Sequence, residues 1–157
     1  MALLAGQYPK TGQVLMCDFS RGFVEPEMVK TRAVVVISRT ATHGRRLCTV
    51  VPLSTTAPNP IEAWHVRLAR DPLPNANPSV VVWAKCDMLY TVSFDRLDRP
   101  HVKETGGRVY HSIFLGATDL AAVFDGVREY LPPEPTSAPV LPSTPTSTTG
   151  TASATDV

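Results

Sequence analysis

Residues 32–38 read Arg-Ala-Val-Val-Val-Ile-Ser, and residues 50–56 read Val-Val-Pro-Leu-Ser-Thr-Thr. Both runs predict buried β-strands, because short apolar runs rich in β-branched residues are typical of strands. An Arg opens the first run and hydroxyl residues close the second. A third apolar run, residues 80–86, ends in Lys85-Cys86-Asp87. Strands with such polar tips predict a rigid sheet that presents a polar site at its edge.

The C-terminal part of the chain differs sharply in composition from the rest. The chain has 157 residues, and the last 26, residues 132–157, contain six Pro, seven Thr and four Ser. Such a segment buries too little apolar surface to offset its ordering entropy. We therefore predict a disordered Pro/Thr/Ser-rich tail at 132–157. Residues 1–131 then form one domain, which is long enough for a single core.

Further short strands separated by turns are predicted along this domain. They cover residues 13–19, 46–53, 63–69, 79–86 and 107–111, with loops at 20–31 and 70–78 and a hairpin turn at 39–45. A helix is predicted from an N-cap at Thr118 to Leu131, because apolar residues recur there at helical spacing. Pro132 then ends it. Many short strands and one terminal helix predict a compact, mostly β, barrel-like domain.

The charge of the chain is nearly balanced, but its basic residues cluster. Fifteen Lys and Arg against fourteen Asp and Glu give a net charge of +1. Arg39, Arg45 and Arg46 share one inter-strand turn, with Lys30 close before it. Such a cluster is compatible with phosphate binding. A solvated hairpin tip is the alternative interpretation.

The three cysteines indicate a reducing compartment. Cys17, Cys48 and Cys86 are odd in number, widely spaced and set in apolar strands, which predicts small core residues instead of disulfides or a metal site. The N-terminus lacks the pattern of a signal peptide, and no run has the roughly 18 apolar residues of a membrane span. We therefore expect a cytoplasmic protein.

Several short motifs follow one another in a fixed order along the chain. They are a Gly-initiated strand ending in Asp18-Phe19, a loop acid at Glu27, Arg32 opening a strand, Val51-Pro52-Leu53-Ser54-Thr55, Lys85-Cys86-Asp87, and Arg96-Leu97. Over about residues 12–131 this order resembles the MazF/PemK/Kid family of toxin endoribonucleases. The resemblance implies a small SH3-like or CcdB-like β-barrel, usually a homodimer. It also implies cleavage of single-stranded RNA without a metal or cofactor, and inhibition by a cognate antitoxin protein.

The resemblance also implies roles for particular residues. Arg32 and Thr55 match the recurrent active-site pair, with Ser54 beside it to bind substrate. Lys85 and Asp87 match a segment with acid and base roles, and the family's loop Glu matches Glu27.

Further residues are predicted to bind the substrate, and Tyr90, Ala33 and Pro26 are among the positions that depart from the family pattern. Arg39, Arg45 and Arg46 are expected to contact RNA. Tyr90 stands where the family often has Arg, and we expect it to stack on a base. Ala33 stands where the family has Pro after the Arg.

These residue types suit RNA cleavage by the neighbouring 2′-OH, which leaves a 2′,3′-cyclic phosphate. The reaction needs a base, stabilisation of developing negative charge and a proton for the leaving oxygen. Asp87 or Glu27 is expected to be the base, Arg32 the phosphate clamp and Lys85 the donor. The hypothesis requires that Arg32 and Thr55 converge in space.

The sequence also leaves purely structural interpretations of these residues open. Arg32 can pair with Glu27 or Asp18, and the Ser-Thr segment can be ordinary turn chemistry. The alternative function is a non-catalytic toxin or interaction module on the same fold, such as a gyrase poison or a degenerate homologue from a phage or mobile element.

Overall fold

The computed structural model describes Leu3 and residues 6–133. Its strands are β1 (Gln13–Cys17), β2 (Arg32–Val36), β3 (Leu47–Ser54), β4 (His65–Arg67), β5 (Trp83–Lys85), β6 (Tyr90–Ser93), β7 (Leu97–Asp98), β8 (His101–Glu104), β9 (Gly107–Tyr110) and β10 (Ile113–Phe114). The helix α1 spans Ala117–Tyr130, and 3₁₀ turns span Thr40–Arg45 and Phe94–Arg96. From residue 134 onward, the predicted tail lies outside the described residues.

Strand β2 lies at the centre of the main sheet. Its run of apolar residues suits this position, because a central strand is buried on both faces. It is antiparallel to β1 and β3, with Val34 opposite Leu15 and Pro52. Side chains alternate between the faces of a strand, so Val34 and Val36 enter one hydrophobic core and Val35 enters another. The sheet therefore separates two cores, a first core that contains Phe94 and a second core that contacts α1.

The sheet curls over the first core without closing. On the edge of β3 away from β2 lie β6 and then β5, and on the outer edge of β1 lie β7 and β10. The turn Phe94–Arg96 joins β6 to β7 and so connects opposite edges. These two strands do not pair with each other in the described sheet. The mostly β fold with one C-terminal helix is confirmed, and its sheet is not closed into a barrel.

The helix packs on the second core through the predicted apolar stripe, which includes Leu120, Val123 and Val127. Its N-cap is Gly116, so the predicted cap at Thr118 is wrong. The carboxylate of Asp119 instead accepts the Ala69 N–H at 3.1 Å and ties the helix to the chain after β4.

Most of the predicted strands are shorter in the structure. Strand β5 covers only the end of the predicted 79–86 run, because the preceding residues form a turn in which Val80 N–H donates to Asn77. It lies between β3 and β4 near one end of the sheet and not at its centre. Strands β8 and β9 form a separate ribbon that includes most of the predicted 107–111 strand.

Candidate active site

Arg32 begins β2 and Ser54 ends β3, at the same end of the β2–β3 ladder. The last paired residues there are Val34 and Pro52, and continuing this register by two residues places Arg32 opposite Ser54. Opposed residues in an antiparallel pair share a face, with Cβ atoms about 4.5–5.5 Å apart. A guanidinium group and a hydroxyl therefore belong to one face at this edge of the sheet.

A cavity of about 160 Å³ lies across this end of the ladder, and we call it the Arg32 cavity. It is lined by apolar residues Met16, Ala33, Leu53, Leu73 and Val82 and by polar residues Thr31, Arg32, Ser54, Thr55 and Asp71. The predicted pair, Arg32 and Thr55, thus borders one cavity. Strand alternation nevertheless puts Ser54, and not Thr55, on the face of Arg32.

The two hydroxyl residues differ in their surroundings. Ser54 is only 6% exposed, and its Oγ accepts the Thr56 N–H at 3.1 Å. Thr55 follows the strand directly and is exposed. Ser54 is therefore held in place by the structure, whereas Thr55 is open to solvent.

The face shared by Arg32 and Ser54 continues onto β5 and β4. Trp83 is paired with Ser54 on one side and with Arg67 on the other. The next pair on the same face is Lys85 and His65. Trp83 is half-buried and belongs to neither core. We call Arg67, Trp83 and Lys85 the Trp83 platform, because an aromatic ring among cations is typical of single-stranded nucleic-acid sites.

Asp87 lies outside the Arg32 cavity, beside His65. Its Oδ1 is buried, and Nε2 of His65 lies 3.4 Å away, just beyond normal hydrogen-bond length. Nδ1 of His65 accepts the Glu62 N–H at 3.0 Å. In the neutral ring this bond leaves the proton on Nε2, facing Asp87. Lys85 is therefore part of the Trp83 platform and Asp87 borders it, and neither residue lines the Arg32 cavity.

Glu27 and Tyr90 also lie outside this cavity. The Oε2 atom of Glu27 accepts the Val24 N–H at 2.8 Å within its own turn. The Tyr90 hydroxyl accepts the Met28 N–H at 3.2 Å. The Tyr90 ring packs on two phenylalanines of the first core, Phe19 and Phe23, with centroids 5.0 and 5.4 Å apart. These contacts anchor the 20–31 loop, and base stacking by Tyr90 stays a prediction.

The basic turn is remote from the cavity. Arg39, Arg45 and Arg46 lie where β2 ends and β3 begins, whereas Arg32 and Ser54 lie at the opposite ends of those strands. Eight residues of β3 span roughly 24 Å. Arg46 pairs with Asp95 at 3.2 Å and stacks on Phe94. The structure therefore does not bring these arginines together with the predicted catalytic residues.

A second cavity of about 190 Å³ adjoins the first, since Met16 and Thr31 line both. It contains Asp18 and Asp98. Hydrogen bonds from Ser20 hold the pKa of Asp18 below its ordinary value. Among the described residues, Arg32 forms no ion pair with either acid or with Glu27, which argues against the structural ion pair considered for Arg32.

The cysteines behave as predicted. Cys17, Cys48 and Cys86 are free and buried, and burial raises the pKa of each thiol to about 12. They are core residues and not nucleophiles at neutral pH. Within Leu3 and residues 6–133, no cluster of three or more His, Cys, Asp or Glu is placed to hold a metal ion. No helix in this part is long and apolar enough to cross a membrane.

Solved structures of a MazF and of an endoribonuclease are similar to this chain in fold. MazF from Deinococcus radiodurans superposes with a TM-score of 0.55 at 18% identity, covering 78% of this chain and 96% of that protein. An endoribonuclease from a Mycobacterial species, solved in complex with its cognate antitoxin, gives a TM-score of 0.53 at 17% identity, covering 78% and 93%. At these identities the likeness defines the fold, which is that of MazF.

Sequence comparison defines the family. The model described as "PemK-like, MazF-like toxin of type II toxin-antitoxin system" matches residues 10–123. The protein YifN of Escherichia coli (strain K12), described as putative and uncharacterized, is 32% identical over 110 residues, which span 58% of this chain and 72% of YifN. The chain therefore belongs to the PemK-like, MazF-like family of toxins of type II toxin–antitoxin systems, and the predicted resemblance is confirmed.

Sequence reasoning missed two residues that the structure places at the site. Trp83 sits in a continuous apolar run, and its alternation with Lys85 was the available signal. Asp71 lies in the 70–78 loop and borders the Arg32 cavity. No local pattern indicates that position, because the path of the loop brings it there.

Proposed function

We propose that the protein is a metal-independent endoribonuclease toxin that cleaves single-stranded RNA and leaves a 2′,3′-cyclic phosphate. The observation that carries this proposal is that Arg32, Ser54 and Thr55 line one cavity at the end of the β2–β3 ladder. Family membership supports it, since endoribonuclease activity is known in this family.

The Arg32–Ser54 edge suits a phosphodiester group. The planar Arg32 guanidinium can donate two hydrogen bonds to the non-bridging oxygens and stabilise the charge that grows as the 2′-oxygen attacks. Ser54 and Thr55 offer hydroxyl donors beside it. Preorganised donors of this kind are typically worth about 10²–10³ in rate each.

The Trp83 platform supports binding of the nucleotides that flank the cleaved bond. Trp83 is the direct cross-strand neighbour of Ser54, so a base stacked on its ring would lie beside the phosphate at Arg32. Arg67 and Lys85 flank the ring and can neutralise backbone phosphates. Stacking on one aromatic ring contributes about 1–3 kcal/mol per base.

We further propose that a cognate antitoxin binds the chain and that the toxin acts as a cytoplasmic homodimer. Similar proteins were solved with antitoxins, as with the Mycobacterial endoribonuclease. An antitoxin segment carrying acidic and aromatic side chains would match the charge and the half-buried ring of the Trp83 platform.

The test is cleavage of a defined RNA by purified protein in excess chelator. Wild type should cut RNA to cyclic-phosphate ends and leave DNA of the same sequence intact, because DNA lacks the 2′-OH. Arg32→Ala should lose at least about 10²-fold in kcat. Arg128→Ala, a charge removal on the exposed face of α1, is the matched control and should cleave like wild type.

The alternative function makes the opposite prediction. A gyrase poison or other non-catalytic toxin would inhibit growth while leaving RNA intact, and a resistant gyrase would relieve the inhibition. Harmless overexpression together with intact RNA would instead indicate a degenerate homologue. Either result would overturn the nuclease proposal.

A further inference from the structure

The geometry points to Asp71 as the general base of the cleavage reaction, an inference that rests on the proposed nuclease function. Asp71 is the carboxylate that borders the Arg32 cavity among the described residues. It lines the same cavity as Arg32, Ser54 and Thr55, although it comes from a separate loop. A base in this place is next to the phosphate that Arg32 would hold.

The carboxylates predicted from the sequence are less suitably placed. The carboxylate of Glu27 is engaged with the Val24 N–H in an exposed turn. Asp87 turns its Oδ1 inward beside His65 at the edge of the Trp83 platform. Asp18 and Asp98 line the neighbouring cavity, where each accepts a local backbone N–H from Ser20 or Arg99.

Asp71 is held in a fixed orientation by its own turn. Its Oδ1 accepts the Leu73 N–H at 3.0 Å, and Leu73 packs against the second core. One carboxylate oxygen is thereby anchored, and the other is left to accept a proton. Pro72, between them, fixes the local backbone further.

The step balances with solvent water as the only other reactant. The carboxylate of Asp71 takes the proton from the 2′-hydroxyl as the O2′–P bond forms. The P–O5′ bond breaks with its electron pair on O5′, and a water molecule protonates that oxygen. The products are a 2′,3′-cyclic phosphate and a 5′-hydroxyl, and Asp71 afterwards returns its proton to solvent.

The test compares carboxamide variants of Asp71, Asp87 and Glu27 with a control variant in single-turnover cleavage. Asp71→Asn keeps an oxygen acceptor for the Leu73 N–H but cannot take a proton. We expect its kcat to fall about 10²–10⁴-fold and its affinity for an RNA with a 2′-deoxy group at the cleavage site to stay within about threefold of wild type. Asp125→Asn, on the exposed face of α1, is the matched control and should leave both values unchanged.

Two further readouts separate catalysis from structure. The acid limb of the pH–rate profile should disappear in Asp71→Asn. A variant with only a structural defect would be slower but would keep the shape of the wild-type pH–rate profile. Asp71→Ser also preserves an oxygen for the turn and should be equally slow, so a folding defect in one variant leaves the other to decide. Folding of each is checked by urea denaturation.

The outcomes are distinct from those of the nuclease proposal. If wild type does not cleave RNA, the proposed function fails first. If wild type cleaves and Asp71→Asn cleaves equally well, Asp71 is not the base. Loss of cleavage in Asp87→Asn or Glu27→Gln, with Asp71→Asn active, would transfer the role to that residue and overturn the inference.

Discussion

Gly126 of α1 lies against Cys86 so closely that a β-carbon at Gly126 would be 2.9 Å from the Cys86 sulfur. The same β-carbon would lie 2.8 Å from Val66 Cγ2 and 3.1 Å from the backbone oxygen of Trp64. The helix thus rests directly on β4 and on the residue that follows β5. This contact fixes the strands that carry the Trp83 platform on their other face.

Gly126→Ala should therefore destabilise the protein. Alanine favours a helix by about 1 kcal/mol over glycine, but overpacking typically costs about 1–3 kcal/mol, and a backbone oxygen here cannot move aside as a side chain can. We expect a net loss of about 1 kcal/mol in the free energy of unfolding, measured by urea denaturation. Gly44→Ala is the control, because its β-carbon meets nothing within 4 Å, and an equal loss there would contradict the explanation.

The central part of the fold was predictable because its signals are local. The Val34–Val36 run is apolar at every position, which indicates burial on both faces, and the helical stripe of α1 repeats at a helical period. Whether the sheet closes into a barrel was not predictable. Closure would need hydrogen bonds between distant edges, here β6 and β7, and no local pattern shows whether they form.

The candidate site was predictable only where its residues stand at strand tips. Arg32 and Ser54 were recognised because they border apolar runs. The register of β2 and β3, continued to the ends of these strands, puts Ser54 on the same face as Arg32. The position of Asp71 depends on the path of a proline-rich loop, which the sequence does not show. Trp83 was not recognised, because a continuous apolar run does not indicate which face of the strand each residue occupies.

The register predicts which hydroxyl acts with Arg32. The continued β2–β3 register puts Ser54 opposite Arg32. Because Ser54 is also buried, whereas Thr55 is exposed beyond the strand, Ser54→Ala should reduce kcat about 10²-fold or more. Thr55→Val should reduce it several-fold at most. Cleavage of one labelled RNA under single-turnover conditions measures both, and a larger loss in Thr55→Val would restore Thr55 to the primary role.

The buried thiols predict loss of stability at high pH. An unfolded thiol has a pKa of 9.0, and burial raises it to about 12 in the folded protein. Below pH 9 both states keep the proton and stability is complete. Between pH 9 and 12 only the unfolded state releases it, so the free energy of unfolding falls as pH rises, by up to about 1.4 kcal/mol per pH unit for each thiol. Cys48→Ala should show a shallower decline in urea titrations, and an unchanged slope would argue against this cause.

Tyr90→Phe separates the anchoring role of Tyr90 from its predicted role in stacking on RNA. The variant keeps the ring against Phe19 and Phe23 but loses the hydrogen bond from Met28 N–H. We expect faster hydrogen exchange at the Met28 amide and a loss of about 1 kcal/mol in stability, with affinity for uncleavable RNA unchanged. Trp83→Ala should instead weaken that affinity about tenfold or more. Unchanged hydrogen exchange at the Met28 amide in Tyr90→Phe would contradict the anchoring role of the hydroxyl; the variant keeps the ring and therefore leaves the stacking prediction untouched.

The basic turn should bind only RNA long enough to reach it. Arg39 and Arg45 are exposed and roughly 20–25 Å from the Arg32 cavity, which corresponds to about seven nucleotides of a stacked strand at 3.4 Å each. Removing both charges should weaken binding of an uncleavable RNA of about twelve nucleotides. It should also lower the slope of log affinity against log salt by about 1.4, since each contact to a single strand contributes about 0.7. The double variant should bind and cut an RNA of about four nucleotides as wild type does, because so short an RNA cannot span the distance.

Removing Lys103 and Arg128 instead is the control for the change in net charge. Equal weakening by the two double variants would show that the turn contributes only to the general field, and a loss of kcat on the short RNA would place these arginines much nearer the cleaved bond than the strands allow.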